Sequence, residues 1–123
     1  MPTRVAFLVI ICFPMVAQVP APKDLRRFYQ QNCVRCHGAD GAALDAAGKK
    51  LRGQDLTDAA WRQATSDEAI AKTILKGKFF GQAMPAYKKE LTPEEALQMA
   101  KEVVRGAAKG KVIGPDNTEV VKP

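Results

Sequence analysis

Apolar residues along this chain change their spacing once, early. Residues 5–16 read VAFLVIICFPMV, an almost unbroken apolar run in which no charge follows Arg4 until Lys23. From there on the spacing is helical. In 23–31 (KDLRRFYQQ), Leu25, Phe28 and Tyr29 recur at three- and four-residue intervals, which predicts a helix with all three in the core. Ser66-Asp67-Glu68 supplies an N-cap and an acidic first turn for a second helix, which passes through Ala69, Ile70, Thr73 and Ile74 and stops near Gly77. Thr92-Pro93-Glu94-Glu95 is the clearest start: a cap, a proline suited to the first helical position and a glutamate that completes a capping box. Ala96, Ala100, Val103 and Ala107, widened by Leu97, Met99 and Val104, mark one stripe of that helix. It is expected to end by Lys109-Gly110, with Arg105 and Lys109 near its negative pole.

Between these helices the pattern is lost. Residues 38–53 are rich in Gly, Ala, Asp and Lys and predict loop with one helical turn at most. Residues 77–87 (GKFFGQAMPAY) predict a loop punctuated by Gly81 and Pro85. Residues 110–123 show no helical period and predict a loosely held tail. No strand alternation and no internal repeat occur, so the expected class is all-α, three to four helices with long loops.

The first apolar run is a different kind of segment. A basic start, about a dozen apolar residues and then small ones describe a secretory signal. Its expected extent is 1–17, with cleavage after Ala17 or as late as Ala21, where Pro22 would hinder a peptidase. Pro14 argues against a buried helix. The run falls short of the roughly 20 residues that span a bilayer, so an uncleaved anchor is the lesser alternative. Cys12 lacks the small preceding residue of a lipoprotein signal. Residues 22–109 then form the domain.

Composition narrows the chemistry. The chain has 123 residues, three cysteines, one histidine and a formal charge of +6. Hydrophobic residues are 46% and charged residues 26%, the balance of an ordinary globular domain. One histidine excludes a multi-histidine zinc site, and three cysteines cannot pair completely. Once Cys12 leaves with the signal, the two remaining cysteines stand beside the only histidine.

Those residues are Cys33-Val34-Arg35-Cys36-His37, a C-x-x-C-H pentapeptide, the attachment signature of c-type haem. Two thiols add across the two porphyrin vinyl groups, and the spacing lets both reach one haem edge while the adjacent imidazole turns to the iron. A thioredoxin-like pair belongs on a βαβ pattern that is missing here. A zinc site needs ligands the chain does not have. An iron held by one histidine has a sixth position, and Met84 and Met99 are the methionines outside the signal. Met99 lies on the apolar stripe of the last helix and is expected in the core. Met84 sits in a loop stiffened by Pro85 and is the expected sixth ligand; a His/Met pair favours electron transfer over oxygen chemistry.

The chain resembles the class I c-type cytochromes, the small bacterial monohaem kind, over about residues 25–109. The motifs are C-V-R-C-H-G near the start, then K-G-K-F-F-G-Q-A-M-P-A-Y, then L-T-P-E-E. Class II members carry their haem motif near the C-terminus, which does not match. The resemblance implies the cytochrome c fold around one covalently attached haem. Its N- and C-terminal helices pack together, and Tyr29 faces the last helix around Val103. It implies that Cys33 and Cys36 anchor the haem and that His37 and Met84 bind its iron. Family members often have an aromatic where Val103 stands. They also often have a proline whose carbonyl holds the proximal histidine; the matching place here is Lys49 or, in a second alignment, Gln54. Arg52, Trp61 and Tyr87 are candidate partners for the haem propionates.

Charge adds a surface to this picture. Lys72, Lys76, Lys78, Lys88 and Lys89 follow one another with no acidic residue between them, four of them close to Met84. Lys76, Lys78, Lys88 and Lys89 are expected to steer the protein onto acidic redox partners. No aromatic–basic pattern points to nucleic acid. The expected function is a monomeric periplasmic one-electron carrier, soluble after signal cleavage and without substrate chemistry. The alternatives are an open-site haem protein (gas sensor or peroxidase-like) and an electron-accepting haem subunit of a periplasmic dehydrogenase or oxidase.

Overall fold

A computed structural model describes residues 23–115, together with 2, 6 and 8–14. The expected signal at 1–17 therefore lies partly outside the described residues. Its described part, Leu8 to Pro14, is exposed and has no regular structure. Asp24 caps the first helix, α1 (Leu25–Asn32), by accepting from the Arg27 N–H, and Leu25, Phe28 and Tyr29 are buried on one face as the spacing predicts. One residue later α2 (Val34–His37) makes a single turn. It is followed by the long Gly38-to-Gly53 loop, closed by an isolated bridge between Leu44 and Lys50. Asp45 holds that loop by accepting from the N–H groups of Ala47 and Lys49, and no helical turn forms there.

Helix α3 (Ala59–Ala64) was not expected. Its sequence AAWRQA carries no apolar stripe; what starts it is Asp58, whose carboxylate accepts from the Trp61 N–H at 2.9 Å. Helix α4 (Asp67–Lys76) begins on the Ser66 cap and ends at Gly77, as read from the sequence. Helix α5 (Pro93–Gln98) has the full reciprocal capping box of Thr92 and Glu95. It continues into a π-helical segment, Met99–Val104, where Arg105 N–H bonds to the Ala100 carbonyl. The wider turn buries Met99 with Ala100 and Val103 with Val104.

The last helix thus ends at Val104 rather than near Lys109, with Gly106, a poor helix former, just beyond. Arg105 does not serve the pole of its own helix. Its guanidinium donates to the Arg62 carbonyl at 2.7 Å and to the Thr65 carbonyl, at the end of α3, and pairs with Asp67 at 2.7 Å. Arg62 reciprocates: besides the Leu56 carbonyl ahead of its own helix, it donates to the carbonyls of Val104 and Ala107, at and just beyond the end of the last helix. Each arginine satisfies the orphan carbonyls of the other's helix. Residues 110–115 are not loose either. Ile113 is 3% exposed and its N–H bonds to the Ala39 carbonyl at 2.9 Å. The rest of the expected tail, 116–123, lies outside the described residues.

Helix α1 packs on the π segment, and α4 on α5 and the π segment. Tyr29 and Val103 are both almost fully buried in the core so formed. Among the described residues there is no strand, only two isolated bridges, and the all-α class holds.

Candidate haem site

The helices and loops enclose a cavity of about 530 Å³, within the ~300–1,000 Å³ typical of cofactor sites. One wall is the motif: Cys33, Cys36 and His37 face it from α2 and the residue before it, with Arg52, Gly53 and Gln54 alongside. The 77–87 loop also borders the cavity, contributing Lys78, Ala83, Met84, Pro85 and Tyr87. Trp61, Ile70 and Ile74 come from α3 and α4, and Tyr29, Met99 and Val104 close the interior. Every sequence-expected site residue, Cys33, Cys36, His37, Met84, Arg52, Trp61 and Tyr87, borders this one cavity.

The His37 side is fixed by backbone. Its Nδ1 lies 2.9 Å from the Gln54 carbonyl, so Nδ1 carries the hydrogen and Nε2 keeps its lone pair. Of the two alignments open to sequence, the geometry selects Gln54 over Lys49. The contact depends on Gly53. A Cβ there would stand 2.4 Å from the Cys36 carbonyl oxygen and 2.8 Å from His37 Nδ1. Only a residue without a side chain lets the two segments close, and the Gly53 N–H bonds to that same Cys36 carbonyl at 2.8 Å. Burial lowers the His37 pKa from its ordinary value; the Gln54 bond opposes this and the Lys78 charge adds to it. A neutral imidazole is the form that ligates a metal. Burial pushes the Cys33 thiol up to about 12, with Cys36 adding to the shift. Both thiols are unpaired, half-buried and open to the cavity.

The Met84 side is a strap. Gly77, at φ +70°, turns the chain out of α4, and a bridge pairs Lys78 with Met84: Lys78 N–H to the Met84 carbonyl at 3.0 Å, Met84 N–H to the Lys78 carbonyl at 3.4 Å. The loop returns where the Tyr87 N–H bonds to the Ile74 carbonyl at 3.0 Å. Tyr87 is buried edge-on to Phe28, and its hydroxyl donates to the Asn32 carbonyl at 3.2 Å. Met99 is core, as expected, but it also borders the cavity. Sequence reasoning missed Gly53; its only signal was a glycine beside one of two candidate acceptors.

The donor set fits a c-type haem: two free thiols, one imidazole with a free Nε2 and one thioether border one cavity with largely apolar walls. Such a cavity defines a c-type cytochrome. Residues 20–101 match the family described as cytochrome C oxidase, cbb3-type, subunit III, and the chain belongs to that cytochrome c family. It is similar to cytochrome c6 of Anabaena variabilis, 38% identical over 74 residues, which cover 60% of this chain and 78% of that protein. Among solved structures it is similar to the KustC0563 c-type cytochrome, at TM-score 0.54 and 37% identity over 68% of this chain and 96% of that one. A tyrosine-to-phenylalanine mutant of Kustc0563 matches at TM-score 0.55 and 36% identity, over 68% and 98%. The protein is a small monohaem class I electron-transfer cytochrome, with covalently bound haem c and its iron.

Proposed function

We propose that this chain is a periplasmic one-electron carrier whose haem is anchored by Cys33 and Cys36 and ligated by His37 and Met84. The observation that carries this is the shared cavity. His37, with Nδ1 taken by the Gln54 carbonyl, and Met84, held by the Lys78 bridge, border the same space. Bound haem would supply the ferric/ferrous couple, and Met/His ligation would raise its potential. With His37 and Met84 both holding the iron, the ligand set would not need to change between oxidation states. Arg52 and Trp61 are assigned to the propionates, since both border the cavity. The hydroxyl hydrogen of Tyr87 goes to Asn32, so its part is its ring.

Export is supported by the exposed apolar residues 8–14, which lie outside every helix. Among the described residues no helix is long and apolar enough to cross a membrane. Lys78 is exposed within the Met84 loop and the exposed Lys76, Lys88 and Lys89 flank it, and acidic redox proteins are the proposed partners. The name of the matching family favours a second reading, a haem subunit docked to a larger oxidase. Co-purification at fixed stoichiometry would support that reading; a monomer on size exclusion supports the diffusing carrier.

The test is an absorption spectrum of the reduced holoprotein with and without carbon monoxide. An unchanged spectrum, with a weak far-red Met–iron band in the ferric state, is expected. An immediate shift on adding the gas would mean an open sixth position and a sensor or peroxidase-like protein.

A further inference from the structure

Phe79 and Phe80 stand at the tip of the Met84 hairpin, 75% and 107% exposed. Neither borders the cavity, although Lys78, Ala83 and Met84 on the same hairpin do. Both have left-handed backbones, φ +51° and +55°, which a bulky side chain adopts only where the surroundings enforce it. The enforcement is visible: the Lys78 carbonyl accepts from Gly81, Ala83 and Met84, and the Phe79 carbonyl accepts from Gln82. Two aromatic rings are thus held out in water by a pinned turn, against their own burial preference.

The charges that flank this tip along the chain do not fix a complex by themselves. Between Arg62 and Arg105 every cationic residue is a lysine. Lysine is a hydrated point charge on a flexible stem; it steers encounter and lacks the fork that locks a geometry. Rigid aromatic anchors supply orientation at low entropic cost. We propose that Phe79 and Phe80 are the apolar anchor of the electron-transfer complex, entering an apolar pocket rimmed by acidic residues on the redox partner. This rests on the carrier reading above and gives its docking face a register. A protein is favoured over a lipid surface because the tip and Met84 share one hairpin. Whatever holds the tip is brought next to the cavity, which serves electron transfer and gives nothing to lipid binding. Transient redox complexes are small, so two rings are a sufficient centre.

The test uses ferrous holoprotein and membranes from the bacterium that makes it, following oxidation against protein concentration and ionic strength. Phe79→Ser with Phe80→Ser is expected to raise KM about tenfold with kcat within about twofold and the salt dependence unchanged. Lys88→Gln with Lys89→Gln is expected instead to flatten the salt dependence. An unaltered absorption spectrum and potential in each variant shows the haem site intact; should the double variant fail to fold, Phe80→Leu against Phe80→Ser gives the same comparison at one position. A wild-type KM in the serine variants overturns the anchor while leaving the carrier standing. Phenylalanine-dependent sedimentation with protein-free phosphatidylglycerol vesicles also overturns it, in favour of lipid. Failure of the wild type to be oxidised at any ionic strength contradicts the carrier reading itself.

Discussion

The two sides of the cavity are built differently. On the His37 side, Gly53 bonds to Cys36, Ala43 to His37, and His37 Nδ1 to Gln54, all at 2.8–2.9 Å. Chain segments there meet so closely that no side chain fits between them. On the Met84 side, an exposed hairpin closes on bonds of 3.0 and 3.4 Å and joins the rest of the fold through backbone bonds at Gly77 and Tyr87. The imidazole is locked before anything binds it. Met84 is carried on a strap that lies outside the helices. A fault on the first side should therefore be read in folding and haem retention, and a fault on the second in potential and ligand access.

The sharpest way to break this contrast is Gly53→Ala. The added Cβ meets backbone and the His37 ring, neither of which can give way. A loss of about 3 kcal/mol is expected, the upper part of the overpacking range, with a lower yield of holoprotein by denaturant melts and haem-to-protein ratio. Gly77→Ala comes next. Its Cβ would lie 2.3 Å from the Met84 carbonyl oxygen, at a backbone angle that favours glycine. The strap is largely exposed and Gly77 meets no part of the His37 side, so about 2 kcal/mol is expected, together with a lower potential and partial carbon monoxide binding. If both variants lost only stability, the two sides would not differ as described. The smallest effect belongs to Gln54→Ala. The acceptor for His37 is a main-chain carbonyl, and the side chain is exposed. Stability should stay within about 0.5 kcal/mol and the potential should not move.

How much of this could be read in the sequence follows the same division between local and distant causes. The caps at Ser66 and Thr92, the C-x-x-C-H turn and the methionine-proline loop are local signals, each decided within a few residues, and all appear where they were expected. Helix α3 has a cap but no stripe, because its six residues bury no side chain fully. The early end of the last helix follows from Gly106 together with the distant carbonyls that claim Arg105. The docking of Ile113 on Ala39 joins residues far apart in the chain. The site shows the same pattern. Its side chains were nameable in advance, but the choice of Gln54 over Lys49 and the need for Gly53 depend on how two loops cross. Such crossings leave no period and no motif.

The central claim is that Met84, carried on the strap, completes the coordination that His37 begins. Potentiometry of Met84→Ala holoprotein tests it most directly. The account predicts a fall on the order of 0.1 V or more, within the ~0.8 V that axial ligands command, and carbon monoxide binding that the wild type lacks. A potential and carbon monoxide response equal to those of the wild type would contradict it.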